Sequence, residues 1–479
     1  MLFHSLPFFI FFSFFLLCYL PVRRRGNARL GLAVIVAFSA IFYAWWDWRF
    51  LLLMWVSVVG DYLLGLLIGN STNPVMRKRF LIASLVFNLG VLGFFKYWNF
   101  FIDNFALILG PELSNVRIAS LILPLGISFY TFQSMSYTLD VYRDKIKPIN
   151  DLLGYAAFVT YFPHMISGPI QKFDVLYPQL VKPLPLRAEQ IATGAFLFAF
   201  GMFQKSVADI FAQFHDPIFN NLSKAEPALV LTAVFSFGIQ IFCDFAGYSL
   251  MAIGLARIIG VDLLQNFRAP YLSTSIRDFW RRWHISLSTW LRDYLYISLG
   301  GNRVKKYRQL LNLLITFTIC GLWHGAGWGF LIWGFLHGLY LCINTLWNRS
   351  SLGNLNVPSW ISFVLKIPSW VFTFVAANYA WVYFRCSSIE QAMIVNHKLA
   401  TWIVHPIMPP LFSGILWVLL IPIVCSDIII ARRGDLTNPQ SPLTKVRALY
   451  LGLGTTLFFM LAFLLMVGQP TQHFIYFTF

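Results

Sequence analysis

Residues 31–69 read GLAVIVAFSAIFYAWWDWRFLLLMWVSVVGDYLLGLLIG and decide the class of fold. The run is apolar almost throughout, and it is too long for one membrane-spanning helix, which needs roughly 20 residues. Its middle holds Trp45, Trp46, Asp47, Trp48 and Arg49, a composition typical of a turn where aromatic rings lie at the membrane–water interface. The stretch therefore predicts two spanning helices joined by a tight turn.

The whole chain has the composition of a membrane protein. Of its 479 residues, 58% are hydrophobic and 11% are charged, against roughly 25% charged in an average soluble domain. A bilayer can solvate so much apolar surface if the backbone hydrogen bonds are made within helices or a closed barrel. The apolar residues form long blocks, not the short alternating strands of a barrel. We therefore expect an all-α polytopic membrane protein.

The positive charge is distributed as in a multi-pass membrane protein. The net charge is +17, and it is concentrated in short clusters between apolar blocks, such as Arg23–Arg25, Arg77–Arg79 and Arg432–Arg433. Loops that stay in the cytoplasm carry such clusters, so we expect no nucleic-acid partner. The apolar block Leu2–Leu20 precedes its positive charges, the reverse of a cleavable signal. It is predicted to be a retained first span with its N-terminus outside.

Further apolar blocks predict about 11–13 membrane-embedded segments, some of them re-entrant. No internal repeat divides the chain, so we expect one membrane domain over residues 1–479. After Leu2–Leu20 and the pair in 31–69, the predicted segments lie near 80–100, 119–138, 152–170, 190–211, 228–256, 309–323, 326–347, 358–384, 411–430 and 448–468.

Residues 262–308 form a different, amphipathic segment. If its middle is one helix, a polar face and an aromatic face lie opposite each other. One interpretation is an anchor in the membrane interface. The other is a re-entrant helix whose polar groups line a functional site, since ionisable groups inside a membrane are expensive. The polar face would carry Arg277, Arg281, His284, Ser288 and Arg292, and the aromatic face Phe279, Trp283, Leu287, Trp290 and Tyr294.

His324 is the leading candidate for chemistry. It lies in the sequence GLWHGAG at residues 321–327, directly after the apolar run Leu310–Cys320. Glycine on both sides permits a close approach of another backbone or of a substrate. An imidazole can take a proton from a hydroxyl at neutral pH. The alternative is a helix-packing motif in which small residues allow close contact.

Other polar residues in apolar surroundings are weaker candidates. His284 lies on the polar face, and Asp244 is a lone carboxylate that pairs with an arginine or orients a histidine, a structural ion pair being the favoured role. His164 is flanked by helix breakers, as expected where a broken helix lines a cavity. His337 follows His324 by thirteen residues and falls on a different face if the helix is continuous. The six cysteines are scattered without a CxxC pair, so no metal site is predicted.

These motifs resemble the membrane-bound O-acyltransferase (MBOAT) family, and within it the bacterial branch that acetylates polysaccharides such as alginate. The resemblance covers essentially the whole chain, with Ala246 and Leu250 as departures where Ser and Asp are usual. It is carried by DFWRRWHISLSTWLRDYLYISLGGNR at 278–303, GLWHGA at 321–326, LPLGISFY at 123–130 and FPH at 162–164.

The resemblance implies a ring of helices around a central tunnel, in the inner membrane of a bacterium. It maps the family's key histidine onto His324 and the second motif histidine onto His284. It implies an acyl thioester, acetyl-CoA above all, as donor substrate with no bound cofactor, a periplasmic acetyltransferase partner, and a polysaccharide acceptor, alginate-like or peptidoglycan. Arg277, Arg281 and Arg292 are candidates for the donor's phosphates, and the indole N–H of Trp323 for the oxyanion.

Two alternative classes remain open from the sequence. A lipid or teichoic-acid acyltransferase would keep the histidine motifs and change the acceptor. A transporter or flippase would also have broken helices that line a cavity, but it gives no reason for the histidine motifs.

Overall fold

The computed structural model describes residues 1–118, 121–166, 168–351, 358–407, 414–434, 436 and 443–467. These residues form helices and connecting turns, without a strand. They divide into two compact units, the first drawn from Met1–Phe198, Tyr248–Leu264 and Pro439–Thr455, the second from Ala199–Gly247, Gln265–Asn438 and Thr456–Phe479.

Within the described ranges, nine helices are long and apolar enough to cross a membrane. The prediction of an all-α polytopic membrane protein is thereby confirmed. The single domain over 1–479 and the ring around a tunnel stay predictions. The nine helices are Leu6–Arg24, Ala28–Asp47, Arg49–Asn70, Pro74–Leu109, Ala188–Asn220, Pro227–Ile258, Trp328–Trp347, Ser359–Arg385 and Lys445–Met466.

The helices are numbered here in chain order. The predicted pair within 31–69 is present, with Trp48 between its two helices. The first half of the chain holds α1 (Leu6–Arg24), α2 (Ala28–Asp47), α3 (Arg49–Asn70), α4 (Pro74–Leu92), a π-helical turn (Gly93–Tyr97), α5 (Trp98–Leu109), α6 (Ile127–Tyr142), α7 (Leu152–Thr160), α8 (Phe162–Met165), α9 (Phe173–Val181) and α10 (Ala188–Asn220).

The second half begins with α11 (Pro227–Ile258). Three helices contribute residues to both units, namely α10, α11 and the last helix, α19 (Lys445–Met466). The remaining helices are α12 (Ile276–Arg282), α13 (Ile285–Trp290), a π-helical turn (Leu291–Tyr296), α14 (Lys306–His324), α15 (Trp328–Trp347), α16 (Ser359–Arg385), α17 (Ile389–Val404), α18 (Gly414–Arg433) and α19 (Lys445–Met466).

Three predicted segments differ from the structure for local reasons. The segment near 119–138 becomes helical only at Ile127, and residues 119–120 lie outside the described part. The segment near 152–170 is divided between α7 and α8, where Pro163 has no N–H to continue the helical ladder. The segment near 309–323 is helical, but polar residues such as Gln309 and Asn312 lower its hydropathy, and it is not one of the nine spans.

In the first unit, a buried polar network joins α3, α4 and α6. The carboxylate of Asp61 is fully buried and accepts hydrogen bonds from Ser84 Oγ at 2.7 Å and from Asn88 Nδ2 at 2.8 and 2.9 Å. Ser84 Oγ is also 3.1 Å from Thr138 Oγ1 on α6. The buried carboxylate is thus satisfied by hydrogen bonds from neutral groups, as burial requires.

In the second unit, α14 and α15 form a hairpin with unusually close backbones. A Cβ atom added at Gly334 would meet the carbonyl oxygen of Phe317 and would lie 3.0 Å from Gly321 Cα. A Cβ atom added at Gly338 would lie 3.1 Å from Leu314 Cα. Small residues at such crossings let helices approach in a membrane protein. Gly321, the first residue of the His324 motif, therefore lies at a close helix–helix contact, as the packing interpretation predicts, and the functional interpretation of the motif stays a prediction.

Gly334→Ala is expected to destabilise the protein by about 1–3 kcal/mol, because the added methyl group forces α14 and α15 apart. Thermal unfolding in detergent measures the effect. Gly90→Ala on α4 is the matched control, since its added methyl group meets no atom within 4 Å. Equal unfolding temperatures for the two variants would contradict the close contact.

Candidate active site

A sharp turn at Trp283 and His284 interrupts the segment that the spacing predicts as one helix. Trp283 is extended and His284 has φ +42° and ψ +56°, a left-handed conformation that a residue other than glycine adopts only where its surroundings hold it. The continuous helix is wrong, because tertiary hydrogen bonds end α12 and start α13 at this point. One pattern of polar residues therefore belongs to two short helices.

The loop around Asn266 provides those hydrogen bonds. The N–H of Ile285 donates to the carbonyl oxygen of Asn266 at 2.9 Å, and the Ser286 hydroxyl donates to Asn266 Oδ1 at 2.7 Å. The N–H of Arg268 donates to the carbonyl oxygen of Arg282 at 3.0 Å. His284 is fully buried. The turn therefore fixes the direction of its imidazole.

His324 is the last residue of α14. Residues 325–327 are not helical, and α15 begins at Trp328. Gly325 is extended, and a Cβ atom there would overlap the ring of Phe330. The absence of a side chain at Gly325 thus leaves room for the Phe330 ring beside the histidine. His324 itself is only 3% exposed.

The structure brings His284, His324 and Trp323 together. The ring centroids of the two histidines are 6.2 Å apart, and the Trp323 ring lies 4.9 Å from His324 and 6.0 Å from His284. Phe245 of α11 packs edge-on against His284 at 4.6 Å. The two histidines matched to the family motifs therefore form one site in the second unit.

Aromatic rings enclose the His324 side chain. Trp333 of α15 and Phe384 of α16 lie 5.0 and 5.4 Å from it, and Trp381 packs on Trp333 at 5.3 Å. Burial lowers the pKa of His284 to about 3, because its charged form is poorly solvated. His284, which lies outside the nine spanning helices, is therefore neutral at physiological pH and has a ring N–H to donate.

A cavity of about 580 Å³ in the second unit carries the predicted arginines. Arg277, Arg281 and Arg292 all line it, together with apolar Trp280 and Phe317. Arg292 is paired with Asp293 at 2.8 Å. Arg277 donates only to the Thr345 hydroxyl at 3.4 Å, and neither it nor Arg281 has a carboxylate partner among the described residues. The cavity therefore exposes two guanidinium groups that are not neutralised.

Asp244 is paired, but with a lysine that the sequence argument missed. Its carboxylate lies 2.8 Å from Lys205 Nζ, which also contacts Asp209 at 2.5 Å. Lys205 and Asp244 are 2% and 1% exposed. The structural ion pair is therefore present, and its cation is neither arginine nor histidine. The sequence feature that could have identified this partner is a charged residue, Lys205, inside an apolar run, because such a residue needs a counter-ion.

His164 lies in the first unit, whereas the two motif histidines lie in the second. Its Nε2 donates to Gln133 Oε1 at 2.8 Å, and Gln133 Nε2 in turn donates to the carbonyl oxygen of Phe158. This contact gives Nε2 a partner within the first unit, while Nδ1 of the same ring is buried without a hydrogen bond among the described residues. A substrate-binding role for His164 stays a prediction.

His337 was placed on a face away from His324 on the assumption of a continuous helix. That assumption is wrong because the helix is interrupted at Gly325 and Gly327, both of which are extended. His337 instead lies 5.0 Å from Trp333, which itself contacts His324. No group of three or more metal-ligating side chains occurs in the described part of the chain.

Comparison with known proteins identifies the class. The model of the membrane-bound O-acyltransferase family matches residues 40–385, a range that includes both motif histidines. The chain therefore belongs to the MBOAT family, and it is a multi-pass membrane O-acyltransferase.

Individual relatives support the same class. The chain is 41% identical to the probable alginate O-acetylase AlgI of Pseudomonas aeruginosa, over 80% of this chain and 72% of that protein. It is 37% identical to a peptidoglycan O-acetyltransferase of Helicobacter pylori, over 75% and 72%. A teichoic acid D-alanyltransferase of Streptococcus thermophilus is 29% identical over 53% of this chain and 65% of its own length.

Lys205→Met is expected to destabilise the protein by about 3–5 kcal/mol, because it leaves Asp209 and Asp244 buried without their cation. Asp244→Asn keeps Lys205 paired with Asp209 and is expected to be milder. Yield in the membrane and unfolding temperature in detergent measure both. A Lys205→Met protein as stable as the wild type would show that the ion pair contributes nothing.

Proposed function

We propose that the protein acetylates a polysaccharide outside the inner membrane of a bacterium, taking the acetyl group from acetyl-CoA in the cytoplasm. The observation that carries the proposal is the pairing of His284 with His324, 6.2 Å apart, in the unit that also holds the basic cavity. The two relatives named above, whose names specify alginate and peptidoglycan, support a glycan as the acceptor.

The proposed reaction uses His324 as the general base. It removes the proton of the acceptor hydroxyl as the hydroxyl oxygen forms a bond to the acyl carbon. The carbon–sulfur bond then breaks, and the imidazolium of His324 returns the proton to the leaving thiolate. The acceptor is the glycan itself or a hydroxyl of a periplasmic acetyltransferase that passes the acetyl group on.

His284 and Trp323 are proposed to stabilise the tetrahedral oxyanion. A neutral imidazole and an indole each donate one N–H, and preorganised donors in a site without water lower such a barrier by several kcal/mol. Both rings lie within about 6 Å of the His324 ring. An acyl carbonyl bound beside His324 would therefore be within reach of both donors.

The basic cavity is proposed to hold the nucleotide phosphates of the donor. Guanidinium groups bind phosphate through two parallel hydrogen bonds. Arg277 and Arg281 suit this role because no carboxylate neutralises them among the described residues, while Arg292 has Asp293. Membrane lipid is the other expected partner, in contact with the apolar helices.

His324→Ala is expected to abolish ester-linked acetate on glycan isolated from cells, because no base remains at the acyl carbon. His284→Ala is expected to reduce it by a factor of about 100 to 1,000, the usual effect of losing one oxyanion donor. His397→Ala, an exposed histidine of α17, is the control and should retain wild-type acetate at equal membrane levels. Persistent acetylation in His324→Ala would overturn the base assignment. Wild-type cells without glycan acetate would point to a lipid or teichoic-acid acceptor.

Arg281→Ala is expected to raise KM for acetyl-CoA by about 10- to 100-fold, the effect of losing one charge-assisted hydrogen bond of about 1.5–3 kcal/mol. KM for S-acetylpantetheine, which lacks the nucleotide phosphates, should not change. Arg292→Ala should have a smaller effect, because Asp293 already neutralises that guanidinium. The measurement is acetyl transfer by the protein in lipid nanodiscs. Equal KM changes for the two donors would show that the arginine does not bind phosphate.

A further inference from the structure

A cluster of positive charge lies at the start of α14, in the second unit. Four exposed cationic side chains occur within residues 303–308 and form what is called here the basic cluster: Arg303, Lys305, Lys306 and Arg308. None of them pairs with a carboxylate in the described part of the chain. The sequence itself has no Asp or Glu at residues 294–389. The cluster therefore presents unneutralised positive charge to an outside partner.

The backbone that carries the cluster is fixed by a buried side chain. Asn312 is fully buried, and its Nδ2 group donates to the carbonyl oxygens of Leu299 and Gly301 at 3.1 and 3.2 Å. The N–H of Arg303 donates to the carbonyl oxygen of Gly300 at 3.2 Å. Because the turn is defined by hydrogen bonds, the positive charges are held close together before a ligand arrives, which lowers the entropy lost on binding.

The end of α15 shows the depth at which the cluster lies. This spanning helix ends at Trp347, whose side chain is 56% exposed. Just beyond that end, Arg349 Nη2 donates to Oε1 of Gln309 at 2.7 Å, and Gln309 directly follows Arg308. The cluster is therefore level with the end of a span. Tryptophan is typical of the membrane–water interface there, and several basic residues are typical of the cytoplasmic face.

An apolar stripe runs along α14 from the cluster. Tyr307, Leu311 and Ile319 are 70, 43 and 40% exposed, and Ile315 between them is partly exposed. Residues four apart lie on one face of a helix. Polar side chains of α14 such as Asn312 are buried instead. The helix therefore turns apolar surface outward beside the spanning helix α15, as suits contact with acyl chains.

We propose that the basic cluster and this stripe bind an anionic phospholipid, with the headgroup phosphate against the cationic side chains and one acyl chain along Leu311 and Ile319. A zwitterionic lipid has the chains without the net charge, and a free anion has the charge without a chain. An acidic protein in the cytoplasm would reach the charges but not a stripe at the depth of the bilayer. The proposal goes beyond the function proposed above and does not depend on it.

The test is native mass spectrometry of the full chain, released from detergent micelles that contain equal amounts of two lipids. Palmitoyl-oleoyl phosphatidylglycerol is anionic, and the phosphatidylcholine with the same chains is zwitterionic, so the ratio of the bound lipids reports the effect of headgroup charge. The wild type should retain phosphatidylglycerol preferentially. Lys305→Gln combined with Lys306→Gln should reduce this preference by about 25-fold, since each basic residue near an anionic headgroup contributes about fivefold.

A second double variant is the matched control. Arg432→Gln combined with Arg433→Gln also removes two adjacent exposed charges, but at the end of α18. It should retain the wild-type preference. Glycerophosphoglycerol, which is the headgroup of phosphatidylglycerol without acyl chains, should not displace the bound lipid at equal concentration, because it cannot contact the stripe.

Each contrary result overturns the proposal in a different way. Equal retention of both lipids by the wild type would show that no anionic lipid is selected. Equal losses in the two double variants would show that charge acts over the whole surface without a site at the cluster. Displacement by glycerophosphoglycerol would assign the cluster to a free anion. Without lipid selectivity, binding of an acidic acyl carrier protein that only the lysine variant loses would assign it to a protein. No acyl transfer is measured, so these results do not depend on the proposed function.

Discussion

The aromatic enclosure of the buried His324 is the interaction on which the arrangement of α14, α15 and α16 in the second unit depends. Trp333 and Phe384 reach the imidazole from α15 and α16. They can do so because Gly321 and Gly334 let α14 and α15 approach closely. The glycines of the motif and the rings around the histidine are therefore parts of one arrangement, since a wider hairpin would leave the imidazole in contact with water.

The class of fold could be predicted because hydropathy depends on composition, and each span contributes its own signal. The turn between α2 and α3 at Trp48 was accessible for a similar reason, and the motifs around His284 and His324 pointed to these two residues as candidates, which the structure places near each other, although their role stays a prediction. The end of α12 at His284 could not be predicted, because the spacing of residues 277–292 is compatible with a continuous helix. What ends the helix is a set of hydrogen bonds to Asn266, which accepts them from the N–H of Ile285 and the hydroxyl of Ser286, and such tertiary contacts leave no local periodicity.

The partner of Asp244 was missed for a related reason. Asp244 lies on α11 and Lys205 on α10, and the register between two helices is set by packing that one sequence does not display. The contact of Trp280 with His337 could not be predicted either, since it depends on the interruption of the helix after His324. Motif resemblance pointed to candidate residues, whereas only the structure shows which of them are in contact.

The arginines and the two motif histidines lie in different surroundings within the second unit. The cavity exposes Arg277 and Arg281, which favour an anion, while His284 and His324 lie among aromatic rings. Under the proposed function, the arginines would attract an anionic donor to a place that neither histidine lines. The relatives with 41% and 37% identity are named for different acceptors. Overall similarity therefore does not select the acceptor, which has to depend on features that such relatives do not share.

The buried carboxylate of Asp61 has a consequence for how the chain is inserted during synthesis. As α3 enters the bilayer alone, this group would be expensive to place in lipid. Its donors Ser84 and Asn88 follow only 23 and 27 residues later on α4. The two helices can therefore leave the translocon as a hairpin in which Ser84 and Asn88 already donate to the carboxylate. The hydrogen bonds made within this hairpin thus lower the cost of placing the group in lipid.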